Sequence, residues 1–319
     1  MTRSFSDLLD RILDEGAPLP DDELCQLSDM PEQSAARIAA VWPTISVHRR
    51  RDLMRRLADA CQDDFSVDYA PLALLVGLQD VDSLVRLAAI DTFWDSEDQA
   101  VIAPLMRLMG QDPDLTVRAG AAQALGQFVL LGELGRLAAH AFDQVVRALL
   151  AVADDERAEI LVRCRALESV AAADLDEVAP LIRQAYRSGQ EPFRISAVSA
   201  MGRTGDEQWE SIVLTELENV NPSMRYQAAV AAGQLELGDA VAQLIHLLDD
   251  PDPAVTRASI WSLGEIGDPE AASPLEQFLD DVELGDLAQH AMDAIELAVG
   301  RPVRPRFHAG WVDEDAIPD

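Results

Sequence analysis

The chain has 319 residues, 57 acidic against 25 basic, and a formal net charge of -32 with a pI of about 4.3. Its length suffices for one large core or two modest ones, with 49% hydrophobic residues to fill them. All 25 basic residues other than histidine are arginine, and the net charge opposes phosphate backbones and anionic membrane surfaces while favouring basic partners, although acidity without lysine also fits a salty cytoplasm.

The first stretch, "MTRSFSDLLDRILDEG", is amphipathic and acidic, unlike a signal peptide, and no apolar run approaches the length of a bilayer span. With "EGAPLPDDE" (Glu15 to Glu23) as its internal turn, it reads as an N-terminal helical cap over residues 1–30. A degenerate helical unit is expected over Pro31 to Gln62. It contains "HRRRDLMRR", His48 to Arg56, the one basic cluster, which reads as a helix face paired with acidic neighbours in preference to an anion site.

From there a motif recurs: an apolar residue, arginine, small residues, then glycine. "VRLAAIDTFW" starts at Val85, "VRAGAAQALG" at Val117, "VRCRALESVA" at Val162, "FRISAVSAMG" at Phe193, "MRYQAAVAAG" at Met224, "VTRASIWSLG" at Val255 and "LAQHAMDAIE" at Leu287. The steps are 31 or 32 residues, except for 45 between Val117 and Val162, where "LLGELGRLAAHAF", Leu130 to Phe142, reads as an insertion. A fixed period of this size is the signature of a stacked repeat, because one unit cannot bury its own apolar face.

Each unit predicts two helices. Around Val255 the first runs from Ala254 to Ile266, with Asp252 near its N-cap and Gly267 in the left-handed position that ends it. Asp268 then caps a second helix, Pro269 fits its first turn, and Ala272, Leu275, Phe278 and Leu279 follow at helical spacing. Gly205-Asp206 and Gly238-Asp239 are expected to repeat that punctuation. Counting the anchor as position 0, positions 0, 4, 7, 8 and 11 share one face and are mostly apolar. The chain from Arg301 has no helical period and is expected to be a mobile tail over 300–319.

These units resemble HEAT repeats, of the short kind first associated with phycobilin lyases, through Asp112 to Gly126, Phe193 to Asp206, Met224 to Asp239 and Val255 to Asp268. The resemblance implies an all-α, right-handed α-solenoid (an alpha-alpha superhelix) of about eight hairpins over 31–299. It also implies a structural ladder in which an acidic residue stands six positions before the arginine. Asp80 with Arg86 and Asp112 with Arg118 match, Asn219 before Arg225 is a neutral substitute, and Ser188 before Arg194 departs. At Asp250 the sixth follower is Thr256, and Arg257 comes one residue late.

Signals for chemistry are sparse. His48, His140, His246, His290 and His308 are scattered, as are Cys25, Cys61 and Cys164, with no HExxH or CxxC spacing. Neither GxGxxG, P-loop nor GxSxG occurs. No catalytic residue, metal ligand or cofactor is therefore expected. The groove of HEAT-like DNA glycosylases is basic and aromatic, whereas this chain is acidic with 5% aromatics, so no nucleic-acid partner is expected.

The expected function is a non-catalytic, cytoplasmic scaffold or adaptor that binds another protein with a basic surface. A phycobilin-lyase-like or chaperone-like activity on a chromophore-bearing or modified protein is the alternative. Positions 2, 6 and 10 of the motif helices oppose the buried face, and the resemblance places them on the concave side. They nominate Tyr226, Arg257, Trp261, Gln234, Arg203 and Glu265 as a binding face, rich in the residue types of interface hot spots. Trp261 has a competing reading, packing against an adjacent unit or under the tail.

Overall fold

A computed structural model describes residues 5–16, 19–63 and 66–299. The expected tail, 300–319, lies outside the described residues, and with it the expectation of its mobility. All regular structure among the described residues is helical. By its internal packing the chain divides into two compact units, Met1–Val170 and Ala171–Asp319.

In the first unit the helices are α1 (Phe5–Leu13), α2 (Asp21–Leu24), α3 (Glu32–Val41), α4 (Val47–Asp63), α5 (Ala70–Leu72), α6 (Ser83–Asp91), α7 (Ile102–Gln111), α8 (Leu115–Glu133), α9 (Ala139–Asp154) and α10 (Ile160–Val170). The second unit continues with α11 (Val178–Tyr186), α12 (Glu191–Arg203), α13 (Glu210–Glu216), α14 (Pro222–Gln234), α15 (Val241–Leu247), α16 (Pro253–Ile266), α17 (Ala272–Leu275) and α18 (Gly285–Val299). Several of the first helices in a pair begin as 3-10 turns, and α5 continues into a π-helical turn at Ala73–Gly77. From α3 onward the described residues form eight hairpins, four in each unit, an all-α fold of the α-solenoid class.

The motif helices are the inner members of these hairpins. In the first unit α4 packs on α6, α6 on α8 and α8 on α10; in the second, α12 packs on α14, α14 on α16 and α16 on α18. The anchors Val85, Val117, Val162, Phe193, Met224 and Val255 are all at most 2% exposed, whereas Leu287 in the last hairpin is only half-buried. Removing each such side chain from water contributes about 1.5–3 kcal/mol, so the stacked array holds itself together through its anchor positions.

Helix ends follow local chemistry. Asp82, Asp114, Asp206, Asn221, Asp252 and Asp268 are N-caps whose side-chain oxygens accept backbone N–H groups of the first turn. Gly267 terminates α16 at φ 72°, and Gly205 follows α12 at φ 65°. Gly238-Asp239 departs from the expected punctuation: the left-handed residue after α14 is Glu236, at φ 50°, and Gly238 opens the next 3-10 turn instead. Residues 130–133 of the insertion end α8, 134–138 form the connection and 139–142 open α9. The insertion lengthens α8 to 19 residues and α9 to 16, and the two cross where Gly132 faces the Phe142 ring.

Candidate functional site

The ladder arginines show how the inner helices are tied. Arg86 Nη1 donates to the Asp80 carbonyl at 2.8 Å, while Nε and Nη2 donate to the Asp112 carboxylate at 2.7 Å each. Arg225 repeats this with the Asn219 carbonyl and the Asp250 carboxylate. The carboxylate therefore belongs to the following hairpin. The expected pairing of Asp112 with Arg118 is corrected accordingly: Arg118 takes the Asp112 carbonyl at 2.7 Å and reaches Glu159 for its ion pair. Asp80 likewise serves Arg50, at 2.9 Å, and the indole N–H of Trp42.

Where the motif departs, other residues fill in. Glu216, 4% exposed, accepts from Tyr186, Arg194 and Asn219, supplying the acid that Asn219 lacks. Thr256 occupies the arginine's place in α16 and donates to the Asp250 carbonyl at 3.4 Å, which leaves Arg257 one position further round the helix. The basic cluster of α4 is paired throughout: Arg50 with Asp80, Arg51 with Asp82, Arg55 with Asp52 and Asp59, Arg56 with Asp52, and Arg49 with backbone carbonyls of Arg11 and Asp14. It is a structural element of its unit.

The register of the second unit's inner helices decides where the nominated residues meet. A β-carbon on Gly233 would stand 2.8 Å from Trp261 Cζ3 and 2.9 Å from Ser262 Cα; one on Gly264 would stand 2.8 Å from Ala291 Cα. Gln234 lies over Gly202 in the same way. Ser262 Oγ, fully buried, donates to the Ala229 carbonyl at 2.7 Å. On the motif count Gly202 (position 9) meets Gln234 (10), Gly233 (9) meets Trp261 (6) and Ser262 (7), and Gly264 (9) meets Ala291 (4), so neighbouring motif helices pack side by side with an offset that differs from pair to pair.

By the motif count Ile195, Tyr226 and Arg257 are position-2 residues, and Arg203, Gln234 and Glu265 are position-10 residues. The position-6 residues Ser199 and Val230 are each 7% exposed, whereas Trp261 at the same motif position of α16 is half-buried. Tyr226, Arg257, Trp261, Gln234 and Arg203 are half-buried and Glu265 is exposed. Trp261 rests one edge on Gly233 of the preceding hairpin and keeps part of its surface in solvent. The Asp281 carboxyl is held below its ordinary range by the backbone N–H groups of Glu283 and Leu284, with a smaller contribution from the Arg257 charge.

Burial pushes the Cys61 thiol up to about 11 and Cys164 is also buried, whereas Cys25 is exposed. Among the described residues no cluster of three or more His, Cys, Asp or Glu side chains is arranged to hold a metal ion, and no helix is long and apolar enough to cross a membrane.

A face built from inner helices of stacked hairpins defines a solenoid-type repeat protein. Residues 71–159 and 210–296 match the family model for HEAT repeats, more than half of the chain, and the chain belongs to the HEAT-repeat family. Among solved structures it is similar to the complex of CpcE and CpcF of phycocyanin lyase from Nostoc, at 20% identity over 72% of this chain and 94% of that one, with a TM-score of 0.47. It is also similar to human deoxyhypusine hydroxylase (21% identity, 82% and 95% covered, TM-score 0.37) and to importin beta (15%, 91% and 44%, 0.45). No curated protein matches the chain.

Proposed function

We propose that this chain is a non-catalytic scaffold or adaptor that binds another protein along the face of α12, α14 and α16. The observation that carries the reading is the set of half-buried aromatic, arginine and amide side chains that these helices carry, Tyr226, Arg257, Trp261, Arg203 and Gln234, with Glu265 exposed beside them. Partly exposed aromatic and arginine side chains are the residue types that dominate protein-binding surfaces, and the polar groups beside them suit a rim. The net charge of -32 selects for a partner with a basic surface and speeds its encounter.

The test is affinity capture from the cells that make the protein, with wild type beside a Tyr226→Ala/Trp261→Ala variant. Loss of two hot-spot aromatics weakens binding by about 4 kcal/mol, roughly a thousandfold. Helix content and melting should stay near wild type. Undiminished capture by a folded variant contradicts the proposal.

A further inference from the structure

The strongest charge asymmetry in the chain lies in its last quarter. Between Arg225 and Arg301 stand fifteen Asp and Glu residues and a single arginine, Arg257. Then three arginines, Arg301, Arg304 and Arg306, arrive within six residues, followed by Phe307 and Trp311. The helix that leads into them, α18, presents Gln289, Asp293 and Glu296 to solvent, together with Leu297 at 60% exposure. Its last turn lies beside the end of α16, because a β-carbon on Gly267 would stand 2.9 Å from Ala298 Cβ. The chain therefore leaves α18 beside the end of α16, near Glu265.

We infer that residues 301–311 of this chain are a tethered ligand for the α14–α16–α18 face, with the arginines against Asp293, Glu296 and Glu265 and the aromatic residues toward Trp261 and Tyr226. The inference rests on the proposed binding face and names the chemistry the face selects: an extended segment with spaced arginines and aromatic groups. Reach is sufficient. Twelve residues from Val299 to Trp311 span up to about 40 Å when extended, and α14 lies two helix spacings from α18, about 20 Å. A segment tethered so close acts at an effective concentration near millimolar, so it occupies the face until an outside partner outcompetes it. The partner's own binding segment should then carry the same arginine and aromatic chemistry.

The test is hydroxyl-radical footprinting of the full chain beside a full-length Arg301→Glu/Arg304→Glu/Arg306→Glu variant, with Trp94 in the other unit as internal reference. Oxidation of Trp261 and Tyr226 should rise at least about threefold in the variant, as expected for release of a segment that holds the face most of the time. Wild type should approach the variant at about 1 M salt, where the screening length falls to about 3 Å. Equal oxidation in the two proteins at low salt overturns the inference. Protection that fades when wild type is diluted about a hundredfold also overturns it, since a tether is indifferent to concentration and a second copy is not. Either failure leaves the binding face itself to the capture experiment with the Tyr226/Trp261 variant, which reads a different molecule.

Discussion

Arg86 and Asp112, twenty-six residues apart, are joined by two parallel hydrogen bonds of 2.7 Å, Nε to Oδ2 and Nη2 to Oδ1. Both side chains are nearly enclosed, at 9% and 3% exposure. The same Asp112 turns Oδ1 to the backbone N–H of Asp114, which in turn caps α8. One carboxylate thus links the arginine of one hairpin to the turn that starts the inner helix of the next.

The two ladder arginines of this region should respond differently to truncation. Arg86→Ala strands an enclosed carboxylate and should cost about 3 kcal/mol, because removing one partner of a buried ion pair leaves the other unpaired. Arg118→Ala should cost about 1 kcal/mol, since its ion-pair partner Glu159 is 56% exposed and such pairs contribute little. Thermal melts of the two variants side by side decide this, and equal losses would contradict the inter-hairpin ladder.

Acid should weaken the helix caps in a defined window. The Asp114 carboxyl is held down to about 2, chiefly by the Thr116 hydroxyl, then by the Ser83 hydroxyl and the Thr116 backbone N–H. A carboxyl lowered in the folded state contributes stability above its unfolded value, near 4, and loses it as pH falls through the folded value. Asp114→Ala should therefore be less stable than wild type by about 1 kcal/mol at pH 7. The gap should narrow between about pH 4 and pH 2. A constant gap across denaturation curves in that range would contradict the assignment.

The turn after α14 is under strain that its counterpart after α16 avoids. Glu236 holds φ 50° where Gly267 holds φ 72°. A left-handed conformation costs a residue with a β-carbon about 1–2 kcal/mol, partly offset by the chain entropy glycine loses. Glu236→Gly should accordingly stabilise the protein by about 0.5–1 kcal/mol, and Gly267→Ala should destabilise it by at least as much. Chemical denaturation of both variants checks the pair of signs.

What could be read from the sequence follows the range of the interaction. Caps such as Asp252 and Asp268, the stop at Gly267 and the anchor periodicity depend on residues within a turn or two, and a single chain displays them directly. The ladder depends on how one hairpin is registered on the next. Counting six residues back from Arg118 finds Asp112, but only the stacked geometry shows that the carbonyl faces Arg118 while the carboxylate faces Arg86. Glu216 escaped notice because it replaces a missing acid from a different position, three residues before Asn219. Its signal was Asn219 itself, a neutral residue where the pattern asks for charge. Glu236 escaped because no glycine marked the turn. The face of α14 and α16 is legible as a helical stripe, whereas the near-complete burial of Ser199 and Val230 on that stripe depends on how neighbouring helices pack.

The central claim, that this face receives another protein, is tested most directly by site-specific photo-crosslinking. A benzoylphenylalanine placed at Tyr226 on α14, and separately at the exposed Ala242 on α15, is irradiated with the captured partner present. Crosslinks are expected from position 226, abolished by Trp261→Ala, and none from position 242. Crosslinks from position 242 alone, with position 226 silent, would contradict it.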